Sequence, residues 1–157
     1  LLGFKMRILV ISFFLTFSTL FSGFTFASQT CSGKWSNTNT FRNTVDLGDG
    51  ITLTSQVHRG NLTSENSKQQ GIGACADVVI SYPDGTFKAM YACARKGENG
   101  VFVDHGGIEP NAKNGTWKIA KGTGTGDYKN LSAKGTWKPI LGDDVVRMGS
   151  FEGKCKY

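Results

Sequence analysis

The side chains of this sequence best suited to chemistry are few: His58, the neighbours Asp104 and His105 with Glu109 close by, and the pair Asp77 and Tyr91. An imidazole titrates nearest neutrality, so each histidine is a candidate general base. His58, however, falls on the polar face of an alternating stretch, where an imidazole without a positioned partner is expected to be solvated. Asp104 and His105 are adjacent, so on a continuous strand they point to opposite faces. Only a loop would let them converge with Glu109 on a metal ion. Asp77 and Tyr91 could form an acid/base pair inside a barrel, or simply share a structural hydrogen bond, and the second is the reading carried forward. No nucleophile elbow or Ser–His–Asp spacing occurs. The glycines at 122, 124 and 126 lead into a strand, without the Lys-Ser/Thr and helix that a phosphate loop needs. The expectation is no catalytic residue, no metal and no cofactor.

Aromatic residues make the stronger pattern. Gly-Thr-Trp-Lys occurs twice, from Gly115 and from Gly135, and Gly33-Lys34-Trp35 and Gly149-Ser150-Phe151 repeat glycine–x–aromatic near the two ends. Glycine and ring then share one strand face, a way to pack a tightly curved sheet. Trp35, Phe41, Trp117, Trp137 and Phe151 form the resulting set. Either they fill a small barrel, which is the preferred reading, or they line a cavity for a small apolar ligand.

The elements that must position these residues are short strands. Thr40 to Gly60 reads as a hairpin turning at Gly48-Asp49-Gly50, with Val45 opposite Leu53 and Phe41 opposite Val57. One face is apolar and the other carries Arg42, Thr44, Thr54, Gln56 and His58. Asn61 to Gly71 reads as a loop. Tyr82-Pro83-Asp84-Gly85-Thr86 signals a three-residue hairpin loop. That register places Cys75 opposite Cys93, and Asp77 opposite Tyr91. Cys31 is then left for Cys155, and parity agrees, since Cys31 shares a face with Trp35 and Cys155 with Phe151. Such a bond ties the first strand to the last. With Val101–Val103, a loop from Asp104 to Lys113, the tryptophan strands and Val145–Cys155, the count is eight or nine strands without helical periodicity. The expected fold is all-β, a single antiparallel barrel of about eight strands, closed to remove its edges.

The ends and the composition bound the setting. Lys5 and Arg7 precede an uncharged run from Ile8 to Ala27 that is diluted by Ser and Thr, the layout of a signal peptide. Cleavage after Ala27 would leave one barrel domain at residues 28–157, with no lasting membrane anchor. Of 18 basic residues only Lys5 and Arg7 fall in the leader, so 16 remain against 12 acidic ones, a net charge of +4. The cations look scattered over a solvated face, and nothing resembles a nucleic-acid motif. Four cysteines without a Cys-x-x-Cys spacing fit structural disulfides in an oxidising compartment, secreted or periplasmic.

Gly-Thr-Trp-Lys-Ile, then Gly-Thr-Gly-Thr-Gly-Asp-Tyr-Lys-Asn-Leu, then Gly-Thr-Trp resembles the signature of allene oxide cyclase barrel-like proteins, relatives of plant allene oxide cyclases and dirigent proteins. The turn at 46–50 and the cysteine hairpin resemble those of secreted bacterial members. The resemblance implies an eight-stranded barrel of the calycin type with an apolar interior, often a homo-oligomer. Allene oxide cyclases bind an unsaturated epoxide in that cavity, and dirigent proteins steer phenoxy-radical coupling. No functional carboxylate or cysteine of either family maps onto a position here. Cys31 to Asn37 also looks like the opening of avidins, but the later avidin tryptophan pattern is absent. Two functions follow as expectations: a non-catalytic barrel that binds a small apolar ligand or serves the envelope or matrix, or a cyclase- or dirigent-like guide acting on an apolar substrate.

Overall fold

Side chains alternate at period two through most of the chain after residue 27, and the computed structural model, which describes residues 28–65, 67–143 and 145–157, resolves this into eight antiparallel strands. The expected leader and its cleavage site lie outside the described residues. The strands are β1 (Gln29–Gly48), β2 (Ile51–Ser64), β3 (Gly71–Ser81), β4 (Phe87–Gly97), β5 (Gly100–Ile108), β6 (Gly115–Ile119), β7 (Ser132–Gly142) and β8 (Val146–Lys156). Each pairs with its successor, and β8 returns to β1, so the sheet is a closed barrel. Closure leaves no continuous open edge to recruit another strand. Among the described residues no helix is long and apolar enough to cross a membrane.

Local chemistry sets the register at the hairpins. Tyr82 N–H donates to Thr86 O at 2.9 Å and Gly85 sits at φ 82°, as a Pro-Asp-Gly loop with a left-handed third residue requires. Asp84 Oδ1 accepts from the Thr86 N–H at 2.9 Å and its hydroxyl at 2.7 Å. From this turn the ladder runs without a slip, pairing Asp77 with Tyr91 and Cys75 with Cys93. Both expected disulfides form, Cys75–Cys93 and Cys31–Cys155.

Glycines and rings interlock across strands. Gly33 faces Phe151, Gly149 faces Trp35, and Gly115 faces Trp137. A Cβ on Gly115 would stand 2.1 Å from the Trp137 ring, and one on Gly149 would stand 2.4 Å from that of Trp35. Each ring therefore lies over the bare backbone of its neighbour. That geometry lets Trp137 Nε1 donate to Thr116 O, and Trp117 Nε1 to Thr136 O and Glu152 O, all at 3.1 Å. Main-chain carbonyls thereby satisfy the N–H groups of the buried Trp117 and the partly buried Trp137.

Three expectations are corrected. The loop expected from Asn61 begins only after Ser64: β2 continues that far, with Leu62 paired to Trp35 and Asn61 to Ser36. Likewise Asp104 belongs to β5, which runs on to Ile108. The third correction reverses the first hairpin. Its side chains pair as expected, Val45 with Leu53 and Phe41 with Val57, but the polar face points in and the apolar face out. Asn39 pairs with His58 and Phe41 with Val57, so Thr40 is an extra residue in β1. A bulge of this kind shifts side-chain parity by one. Before it Trp35 and Asn37 face inward; after it Arg42 and Thr44 do. Phe41 is consequently 57% exposed on the outer wall and belongs to neither core nor cavity. With Val45, Val57, Val78 and Met90 it forms an apolar outer strip.

One end of the barrel is plugged. Phe102, Tyr128 and Leu131 pack there with the Cys31–Cys155 bridge and Gln69, each 3% exposed or less. Tyr128 and Leu131 come from the loop holding glycines 122, 124 and 126, which folds as a short 3₁₀ turn, Gly126–Tyr128, under β5.

A two-sided cavity as the candidate functional site

The other end is open. A cavity of about 770 Å³ runs inward from the turns that join β1 to β2, β3 to β4 and β7 to β8. A filled barrel, the preferred expectation, is therefore not what the chain builds. Polar side chains, Arg42 after the bulge in β1 and Thr54, Gln56 and His58 on β2, line this half where apolar ones would have filled it.

The cavity has an aromatic side. Trp35, Tyr91, Trp117, Trp137 and Phe151 all line it. Their rings meet edge to face, Trp35 with Trp137 at 6.0 Å, Tyr91 with Trp137 at 6.2 Å and Trp117 with Phe151 at 5.6 Å between centroids. Of the expected set, four residues share this wall and Phe41 does not.

The opposing side is polar and buried. His58 is 8% exposed, not solvated as expected, and its Nε2 lies 3.5 Å from Asp77 Oδ2. Gln56 Nε2 donates to that same oxygen at 2.9 Å. Deeper, Arg95 grips Asp104 through Nε to Oδ1 at 2.5 Å and Nη2 to Oδ2 at 3.5 Å. A buried guanidinium–carboxylate pair of this kind balances its own charge. Asp77 Oδ1, Gln56 Oε1, His58 Nε2, Asn37 Oδ1 and Arg95 Nη1 are buried without a hydrogen-bond partner among the described residues. Orphaned polar groups in a cavity wall cost about 1–3 kcal/mol each unless something in the cavity meets them.

Tyr91 stands where the two sides join, paired in register with Asp77 and stacked edge-on with Trp137. Burial pushes its phenol far above the usual tyrosine range, helped by the Asp104 carboxylate and opposed by Arg95. It is therefore a neutral donor at any physiological pH. Other candidates separate. Asp104 turns into the barrel while His105 stays outside, and Glu109 pairs with Lys88 at 3.0 Å on the surface. Among the described residues no cluster of metal-ligating side chains forms.

Sequence reading missed Arg95, Gln56, Asn37 and the Arg95–Asp104 pair. A signal existed for Arg95: it shares parity with Cys93 and Tyr91, and a bridge joining two barrel strands from within carries that parity inward. Asn37 carried one too, since it lies two residues after Trp35 and before the bulge; Gln56 carried none, because the apolar face of its hairpin reads as the buried one.

No known family matches the chain, and no curated protein matches it. Among solved structures, a pterocarpan synthase dirigent protein superposes with a TM-score of 0.51 at 12% identity, covering 83% of this chain and 91% of that one. A pyocyanin demethylase superposes with a TM-score of 0.46 at 16% identity, over 80% of this chain and 99% of that one. The first likeness establishes a shared dirigent-type barrel fold.

Proposed function

We propose that this protein is a secreted or periplasmic barrel that holds a small, flat, mainly apolar molecule without transforming it. The observation that carries this reading is the pairing of an open cavity of about 770 Å³ with one aromatic wall and one wall of buried, unpartnered polar atoms. Ligand cavities have this composition: apolar surface supplies affinity, and a few fixed polar groups supply orientation. Trp35, Trp117, Trp137 and Phe151 receive the ring system. Tyr91 donates to a ligand oxygen, while Asp77 and Gln56 accept from a hydroxyl or N–H. The two disulfides suit an oxidising compartment.

Tryptophan fluorescence reads such a ligand directly, because three indoles face the cavity. Titration with a panel of flat aromatics should quench it saturably. Ala89, on the cavity wall, replaced by phenylalanine should abolish the response while circular dichroism stays unchanged. A panel without saturable quenching, or equal quenching in the variant, contradicts the proposal.

A second reading, turnover within the cavity, draws on one observation: the buried His58 imidazole and Asp77 carboxylate lie 3.5 Å apart, with Asp77 paired in register with Tyr91. Asp77→Asn and His58→Ala distinguish the two readings. Loss of turnover by about a hundredfold, or ~2.7 kcal/mol, with binding retained would favour an enzyme; unchanged chemistry leaves the binding protein.

A further inference from the structure

The outer wall opposite the apolar strip carries an arrangement of charge that cavity binding does not use. Lys118 on β6 faces Lys134 on β7, and Lys134 faces Lys154 on β8, with His105 and Thr30 continuing the row on β5 and β1. All three lysines are exposed. Like charges directly opposite on neighbouring strands destabilise a sheet, and strands lie only about 4.8 Å apart. Lys34, Lys138 and Lys156 lie on outward positions of the same strands, also exposed. Against these six lysines stands Glu152, with Glu65 reaching Ser32 Oγ at the border. This one face thus accounts for the whole positive excess of the chain after residue 27. Among the described residues none of the six is ion-paired; Lys154 donates to Thr30 Oγ1 at 3.0 Å.

The row lines a shallow outer groove whose wall also includes Thr116, Thr136 and Glu152. We propose that this groove binds an anionic glycan, its carboxylates or sulfates spanning Lys118, Lys134 and Lys154 and its hydroxyls meeting the flanking threonines. Repulsion along the row is relieved when an anion bridges it. An anionic bilayer fits less well, because interfacial binding also inserts apolar side chains. The large exposed apolar residues of β7 and β8, namely Ile140, Leu141, Val146 and Met148, lie instead at the cavity mouth. A single-stranded nucleic acid would want stacking rings, and the outward positions of β6 to β8 hold none.

The test compares the purified protein with two variants of equal net charge. One replaces Lys118, Lys134 and Lys154 by Gln; the other replaces Arg59, Lys96 and Lys113 by Gln, all exposed on other parts of the surface. Circular dichroism and thiol titration confirm that both retain the disulfide-bonded barrel. Oligogalacturonate and a heparin oligosaccharide serve as carboxylated and sulfated probes at low salt, with phosphatidylglycerol vesicles and single-stranded DNA in parallel. At least one glycan should bind, weaken as salt is raised, and lose about tenfold or more in affinity in the row variant only. Absence of glycan binding, equal loss in both variants, or tighter binding to vesicles or DNA than to either glycan overturns the proposal.

Discussion

Asp77 and Asp104 show two ways of keeping a carboxylate inside a barrel. Asp104 is neutralised by the Arg95 guanidinium, whereas Asp77 has the Gln56 amide on one oxygen and, among the described residues, no hydrogen-bond partner on the other. Asp104→Ala should therefore lower unfolding free energy by about 3–5 kcal/mol, since it strands a buried guanidinium. Asp77→Asn should change stability far less and ligand binding more; urea unfolding and fluorescence titration separate these effects. Tyr91 gives a pH signature. Its folded-state pKa is raised above the ordinary 10.0, and burial likewise pushes Tyr157 up to about 12. Both states keep the phenol proton below the ordinary value, so stability is fully present there. Above it the unfolded chain ionises first, and stability falls as pH climbs toward the folded values. Tyr91→Phe should remove most of that alkaline loss, measured as unfolding free energy at neutral pH and above pH 10. The pairing of Asp77 with Tyr91 was legible, because one Pro-Asp-Gly turn indexes the whole β3–β4 ladder. Their facing was legible only through the Cys75–Cys93 bridge, whose parity both residues share.

At the level of strands, the decisive feature is one inserted residue. Thr40 carries no bulge signal of its own, yet it reverses the facing of everything from Phe41 to the turn. An alternating hairpin with an apolar face invites the assumption that the apolar face is buried, and here β1 spends its first half in one parity and its second in the other. Thr40→Ala keeps the extra residue and loses only the bond from its Oγ1 to Val57 O, a cost of about 1 kcal/mol. Deleting Thr40 forces Phe41 inward against a wall set for Arg42, and should cost about 1–3 kcal/mol or more from overpacking. Thermal melts of the two variants, run together, check that order. The disulfides were legible for the opposite reason: turn chemistry and end-to-end parity determine them without any knowledge of facing. In the loop-entropy account the 124-residue closure by Cys31–Cys155 contributes about 4–5 kcal/mol. The 18-residue closure contributes about 3, part of which the hairpin already supplies. Cys155→Ser should accordingly lower the melting temperature more than Cys93→Ser.

The whole molecule is a barrel with two ends and two flanks. Tyr128, Leu131 and the terminal disulfide close one end, so whatever enters the cavity does so past the mouth turns. Outside, an apolar strip on β1 to β4 and a lysine face on β6 to β8 lie on different parts of the wall. Closure and strand number could be read from the alternating pattern and the linked ends. The cavity could not, because an interior is filled or open according to the sum of all inward volumes, and the inward facing of Arg42 and Thr44 was hidden by the bulge. An open, ligand-holding interior is the central claim, and native mass spectrometry of the protein purified from its own source tests it most directly. The wild-type protein should carry a discrete small-molecule adduct, released on denaturation, that is absent from Ala89→Phe prepared in the same way. A bare wild-type mass, or the same adduct on both proteins, would contradict it.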